Sequence, residues 1–356
     1  MYSFSKQSEE TLVLLNKFFD EHIYPNEAVY AEQLHSAADR FALVPIMEEL
    51  RAIAKAQGLW NLFIAPAHAE FADHDGFSNF DYAPMAELMG RVLWSPEVFN
   101  CNAPNTGNME VFMKYGTAAQ QAEWLTPMLE GDVASSYAMT EPQVASSDAT
   151  NIELSIVRDG DQYVLNGRKW FITSAMYERS KIFIVMGKSD PNNENRHKQQ
   201  SQILVPKGTK GMTIIRPLTT LGYDDAPLGH AELLFENVRV PAENMLLGEG
   251  RGFEIAQGRL GPGRMHHCMR LIGATQRCLE LACARAADRT TFGKKLSAHQ
   301  SVREDIANSF AEIEMMRLLV LKSCHKIDEV GAQDARDMIA AAKVKIPLMA
   351  QNIIDR

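Results

Sequence analysis

The sequence holds no C-x-x-C pair: its five cysteines stand at 101, 268, 278, 283 and 324, an odd and scattered set. That spacing excludes a zinc-ribbon signature and a disulfide framework, and points to reduced thiols. No window reaches the roughly 18 apolar residues that a membrane helix needs. The start, Met1-Tyr2-Ser3-Phe4-Ser5-Lys6, has no basic stretch leading into an apolar one, so a secretory leader is not expected. Basic excess is missing too, with 36 Lys and Arg against 45 Asp and Glu and a net charge of -9. Nucleic acid and anionic membrane are therefore not expected as partners, and any phosphate must be held locally. No internal repeat and no metal-ligand cluster stands out. The expected setting is a bacterial cytoplasm or an organelle matrix.

What is there is ample apolar material: 46% of 356 residues is enough for more than one packed domain. From Glu9 to His22, Leu12, Leu15, Phe18 and Phe19 recur at helical spacing, and Tyr24-Pro25 is expected to close the segment. Helical patterns follow over Pro45 to Gln57, Tyr82 to Val92, and Ala118 to Met128, the last with Thr117 as its cap. The texture changes near Ala134. Ile152, Leu154 and Ile156 alternate with polar residues, and Asp159-Gly160 and Asn166-Gly167 are expected to make hairpin turns. Strands are expected at Ile182 to Met186, Gln202 to Val205, Met212 to Arg216 and Ala231 to Phe235, with Ser189 to Ser201 as a solvated loop.

After Val240-Pro241 the helical period returns. Val302, Ile306, Phe310, Ile313, Met316 and Val320 make an apolar stripe for a bundle. Gly261-Pro262-Gly263 is expected to interrupt and kink the helix before it. From Asp334 to Ile354 the pattern is again helical and stops without a closing glycine, so further chain is expected after Arg356. The fold class is α+β: a helical domain over 1–133, a β-barrel or sandwich over 134–242, and an incomplete helical bundle over 243–356.

Two segments carry chemistry. Ser135-Ser136-Tyr137-Ala138-Met139-Thr140-Glu141-Pro142 leads into Ser146-Ser147-Asp148, and Asn166-Gly167-Arg168-Lys169-Trp170-Phe171-Ile172-Thr173 follows about twenty residues later. Hydroxyl donors and flat apolar side chains at strand ends suit a planar ring with several acceptors. In this order the segments resemble the core of the acyl-CoA dehydrogenase family. The likeness extends over nearly the whole chain, through Lys114-Tyr115-Gly116-Thr117, Phe235-Glu236-Asn237-Val238-Arg239-Val240-Pro241, Gly250-Arg251-Gly252-Phe253 and Arg289-Thr290-Thr291-Phe292-Gly293-Lys294 with His299-Gln300. The form Thr-Glu-Pro-x-Val-Ala-Ser-Ser-Asp-Ala resembles the branch whose animal members fuse a kinase-like domain ahead of the dehydrogenase, a branch that handles long or unusual acyl groups.

The resemblance implies FAD as cofactor. It places Tyr137, Met139, Thr140, Ser146, Ser147, Phe171, Ile172 and Thr173 along the cofactor, with Phe171 covering the ring and Thr173 beside its N5. It assigns Arg289, with Thr291, Phe292, His299 and Gln300, to the FAD diphosphate of a neighbouring subunit, which suits a guanidinium fork and implies a homodimer or homotetramer. Ser147, Ser189 and Arg264 fall where the family approaches its acyl-CoA. His266 and His267 follow Arg264, and packing is the ordinary role for a histidine there.

The implied reaction is dehydrogenation of a fatty acyl-CoA to the trans-2-enoyl-CoA, with electrons passed to an electron-transferring flavoprotein. One branch of the family carries its base where Gly263 stands here, and no carboxylate in residues 1–356 is assigned as base. Same-fold alternatives are an oxidase that uses oxygen and a flavin or acyl-CoA binding protein without turnover. Two departures from common relatives are the extra residue in Gln143-Val144-Ala145-Ser146-Ser147 and a longer Leu221 to His230 loop.

Overall fold

The computed structural model describes residues 3–356, apart from the side chain of Pro262; Met1 and Tyr2, read above as part of the chain start, lie outside the described residues. In chain order its helices are α1 (Lys6–Phe18), α2 (Glu27–Ser36), α3 (Pro45–Ala56), α4 (Asn79–Gly90), α5 (Ser95–Val98), α6 (Asn105–Tyr115), α7 (Ala118–Gln120), α8 (Thr126–Glu130), α9 (Gly252–Asp288), α10 (Gln300–Asp334) and α11 (Arg336–Asp355). The strands are β1 (Ala134–Ala138), β2 (Ser155–Asp159), β3 (Gln162–Thr173), β4 (Ser180–Lys188), β5 (Gln200–Pro206), β6 (Met212–Leu218), β7 (His230–Pro241), β8 (Thr290–Thr291) and β9 (Lys294–Lys295). The chain divides into two units. One holds the chain up to Pro25, Ile53–Phe99 and Gly261–Arg356; the other holds Asn26–Ala52 and Asn100–Leu260.

The first unit is helical. Ser5 caps α1 by accepting from the Ser8 amide, and α1 buries Leu15 and Phe18. The chain does not stop at Tyr24-Pro25 as expected: a π-helical turn over Phe19–Ile23 passes into a 3-10 turn at Tyr24–Asn26 and then α2. Proline tolerates this place because the first turn of a helix has no use for its missing N–H. Within the unit α4 and α9 touch backbone to backbone. A Cβ on Gly90 would lie 2.1 Å from the Arg270 carbonyl oxygen, and one on Gly273 would lie 1.8 Å from that of Glu87. Only glycine permits that approach.

Two expectations for the long helices change. α9 runs 37 residues without a break, so Gly261-Pro262-Gly263 does not end it; the turns on either side outweigh one lost backbone bond. In α10, Ile313, Met316 and Val320 are buried, but Phe310 is 57% exposed. At about 100° per residue, eight steps from Val302 carry Phe310 roughly 80° round the helix, to the edge of the stripe.

The second unit is built on a seven-stranded sheet in the order β1-β4-β2-β3-β7-β6, with β5 on β4. β1 and β4 run parallel; β2/β3, β3/β7, β6/β7 and β4/β5 are antiparallel. The sheet curls about one core, formed by residues such as Leu165, Phe183, Val205, Leu233 and Phe235. β4 is buried from Ile182 to Gly187, which explains its unbroken apolar run. β2 and β3 join at Gly160-Asp161, with Asp159 opposite Gln162. Asn166-Gly167, expected as a second turn, instead lies inside β3, where the pairing to β7 shifts register. Gly167 has φ +150°, and a Cβ there would meet Leu154 at 2.9 Å, so glycine serves a bulge and a close approach.

Helical segments of this unit support the β1 end of the sheet. Asn105 accepts from the Ser135 amide at 2.8 Å, and Asn108 donates to its hydroxyl at 2.9 Å. Thr117 and Gln120 make the full capping box at α7. Thr117→Ala is expected to cost about 1 kcal/mol in urea unfolding, the ordinary value of an N-cap.

Candidate functional site

Where β1 runs out toward Pro142, it is tied to β3 by a small set of strong bonds. Thr140 Oγ1 donates to the Trp170 carbonyl at 2.6 Å, and the Trp170 amide donates to the Thr140 carbonyl at 3.0 Å. Beneath them Lys169, fully buried, donates to Met139 O at 2.7 Å and to Glu141 Oε1 at 2.8 Å. The Glu141 carboxylate also accepts the amides of Glu153 (2.7 Å) and Leu154 (2.9 Å). Burial pushes the Lys169 ammonium down to about 8 against the opposing pull of Glu141. The Thr-Glu-Pro glutamate is thus an anchor, and the Lys of the second motif is its counter-ion.

The exposed rim above this pair is formed by the end of β3. The β3/β7 ladder shifts register between Lys169 and Ile172, and Phe171 takes a left-handed φ of +50° there. Its ring is 42% exposed, unusual for phenylalanine in a strand, and stands edge-on to Trp170 at 5.1 Å. Thr173 follows with its hydroxyl 3.1 Å from His230 Nδ1. Ser174, also at positive φ, is buried and leaves its hydroxyl without a partner. An exposed aromatic face beside threonine hydroxyl oxygens offers flat cover and polar contacts of the kind the ring of FAD calls for, so the residues fit that group.

Ile172 turns its side chain into the core, 1% exposed. Tyr137 is engaged inside the unit: Gln202 Nε2 donates to its hydroxyl at 2.7 Å, and the Arg259 guanidinium lies 4.2 Å over its ring. Burial pushes its phenol up to about 12. Ser146 Oγ accepts from the Glu141 amide at 2.8 Å and shapes the turn after the motif. Ser147 is exposed, and Ser189 Oγ lies 2.5 Å from Ser201 Oγ.

Arg264, Arg289, Thr291, Phe292, His299 and Gln300 belong to the helical unit. Arg264 is half-buried on α9. Arg289 is exposed at the end of α9, where the β8/β9 hairpin begins. Thr291 Oγ1 is 3.2 Å from His299 Nε2, Phe292 sits 97% exposed at the hairpin tip, and Gln300 donates to Glu304. His266 is a packing residue: it is buried edge-on to Tyr82 at 5.0 Å, and burial pushes it down to about 3, so it stays neutral.

Sequence reasoning missed two groups. His230 and Asp225 form one, signalled only by the pairing of His230 with Thr173 across β3/β7. Glu110 on α6 and Arg259 on α9 form the other, far apart in the sequence. Arg259 Nε donates to Asn108 Oδ1 at 2.9 Å, and burial pushes Glu110 up to about 7.

Comparison with known proteins settles the kinship. Family models for the N-terminal, middle and C-terminal domains of acyl-CoA dehydrogenases match residues 6–132, 136–238 and 250–356. The probable acyl-CoA dehydrogenase FadE2 of Mycobacterium tuberculosis is 45% identical, over 100% of this chain and 86% of its own length. The chain belongs to the acyl-CoA dehydrogenase family. The structure of a putative acyl-CoA dehydrogenase from Mycobacterium abscessus superposes with a TM-score of 0.94 at 45% identity, covering 99% of this chain and 88% of that one. The probable acyl-CoA dehydrogenase IBR3 of Arabidopsis thaliana is 51% identical over 96% of this chain but only 44% of its own length. Acyl-CoA dehydrogenase family member 11 of Gallus gallus is 50% identical over 99% and 45% respectively, so the chain spans about half the length of these two relatives.

No helix among the described residues is long and apolar enough to cross a membrane, and no cluster of His, Cys, Asp and Glu among them could hold a metal ion. No disulfide joins any of the five cysteines.

Proposed function

We propose that this chain carries out flavin-dependent α,β-dehydrogenation of a fatty acyl-CoA to the trans-2-enoyl-CoA, with electrons passing to an electron-transferring flavoprotein. The single observation behind this reading is the rim of β3, where an exposed Phe171 stands with the half-buried Thr140 and Thr173 in a chain of this family. Bound there, FAD would supply the hydride acceptor. The protein's share would be to hold and orient it: Phe171 would cover one face, Thr140 and Thr173 would offer hydroxyl oxygens at the ring edge, and the Lys169–Glu141 pair fixes the spacing of the two strands. Ser147, Ser189 and Arg264 are assigned to the acyl-CoA. Arg289, with Thr291, Phe292, His299 and Gln300, is assigned to the diphosphate of FAD in a partner subunit, which makes the working form a homodimer or homotetramer.

The domain limits that go with this reading are 1–133, 134–242 and 243–356. The setting is a bacterial cytoplasm or an organelle matrix, supported by five cysteines that form no disulfide, three of them buried. At Gly263, read as the site of a base in one branch, a Cβ would meet nothing within 4 Å. The position is open and carries no acid.

The test is anaerobic addition of acyl-CoA of graded chain length to FAD-loaded protein. Bleaching of the flavin band, with an electron-transferring flavoprotein needed for turnover, is the expected result. Rapid reoxidation by oxygen with peroxide release would point to the oxidase alternative, and protein that stays colourless with FAD would end the reading.

A further inference from the structure

We propose that Asp225 and His230 form a hydrogen-bond relay that turns the Thr173 hydroxyl proton inward, so that Thr173 presents its oxygen as an acceptor to the group held at this rim. The inference rests on the flavin reading of the rim given above.

The sheet itself sets up the relay. β7 opens at His230, which is the antiparallel partner of Thr173 at the end of β3, so the two side chains are neighbours on one face. Thr173 Oγ1 lies 3.1 Å from His230 Nδ1, and His230 Nε2 lies 3.3 Å from Asp225 Oδ2. The loop carrying Asp225 is tied down on both sides. Arg40 grips the neighbouring Asp224 with bonds of 2.9 and 3.0 Å, and the Gly229 amide donates to the Asp225 carbonyl at 2.8 Å. Phe171 lies 6.4 Å from the imidazole. Of the other charged groups on the adjoining elements, Asp224 is paired with Arg40, and Glu232 is held by Arg168 and Arg216.

The proton positions follow from what each group can do. A carboxylate only accepts, so Nε2 carries the hydrogen that faces Asp225. A neutral imidazole then leaves Nδ1 bare. The one hydroxyl proton of Thr173 goes to Nδ1, and its oxygen lone pairs face outward. A flavin ring nitrogen that is a bare acceptor when oxidised carries hydrogen when reduced, so an outward acceptor favours the reduced cofactor. His230 is accordingly a positioning residue: it acts through Thr173.

Two measurements on the full chain decide the matter. Nitrogen-15 NMR of the imidazole, without FAD, should show His230 with hydrogen on Nε2 and should lose that preference in Asp225→Asn. In FAD-loaded protein, His230→Phe should lower the affinity for reduced relative to oxidised FAD about tenfold, the worth of one hydrogen bond, which is about 30 mV for a two-electron couple. Thr173→Val should do the same, and the double variant no more. His230→Asn can set its amide oxygen where Nδ1 stood and should restore the wild-type ratio, which also separates the relay from a general packing loss. Hydrogen on Nδ1, or a His230→Phe ratio unchanged where Thr173→Val shifts it, overturns the proposal. Wild-type protein that binds no FAD sinks the flavin reading and the cofactor half of this one, while the NMR result still decides the direction of the hydroxyl.

Discussion

Glu141→Ala should destabilise the fold by about 3–5 kcal/mol, the cost of removing one partner from a buried ion pair. Both members are inside, Lys169 at 0% and Glu141 at 3% exposure, and they meet at 2.8 Å. The substitution strands the ammonium with the Met139 carbonyl as its remaining acceptor named above, and takes the acceptor from the amides of Glu153 and Leu154. Lys169→Met should cost less, because the carboxylate keeps those two amide donors. The double variant Lys169→Met/Glu141→Leu should recover part of the loss but not all, since the amides stay unpaired. Urea unfolding of the four proteins gives the order, and a Glu141→Ala loss below about 1 kcal/mol would falsify the anchoring role.

The pH response of the same pair has a definite sign. Lys169 titrates near 8 when folded, against 10.5 as its ordinary value. Between those values the unfolded chain binds the extra proton, so stability should rise as pH rises from about 8 toward 10.5. Glu141→Ala should therefore be least deficient in alkali, where the stranded lysine can shed its charge. Flavin retention should fall with stability in this variant, because Met139–Glu141 and Lys169–Phe171 are held in register by these bonds.

The helix-β-helix order and nearly every strand could be read from the sequence, because strand period and turn residues are local signals. α6 escaped because its buried face mixes asparagine with apolar residues: Asn105 and Asn108 are buried to serve Ser135, which no periodicity reveals. Asn-Gly is the strongest short hairpin signal, yet tertiary approach to Leu154 uses Gly167 for a bulge. Thr140, Phe171 and Thr173 were legible through the family motif. The Thr173–His230–Asp225 chain was not, since it depends on which strand pairs with β3 and in what register. The inward turn of Ile172 follows from the bulge at Trp170-Phe171, which resets the alternation of faces along β3.

A second large effect belongs to Glu110, and it runs opposite to that of Lys169. Burial raises its carboxyl from an ordinary 4.5 to about 7, with Arg259 and Lys114 pulling the other way. A folded state that holds its proton more tightly than the unfolded chain is favoured in acid. Its stability should fall as pH rises from 4.5 toward 7, and the full penalty should stand above 7. Discounted for partial exposure, that penalty is about 2 kcal/mol. Glu110→Gln keeps the shape and removes the charge, so it should flatten the curve and leave the variant more stable than wild type at pH 8. Arg259 does not depend on the carboxylate for its place, being bonded to Asn108 and stacked on Tyr137. The expected gain at pH 8 is thus not offset by a lost anchor. Urea unfolding at pH 5 and pH 8 reads the difference directly, and parallel behaviour of the two proteins would show that Glu110 is ionised at no cost in the folded chain.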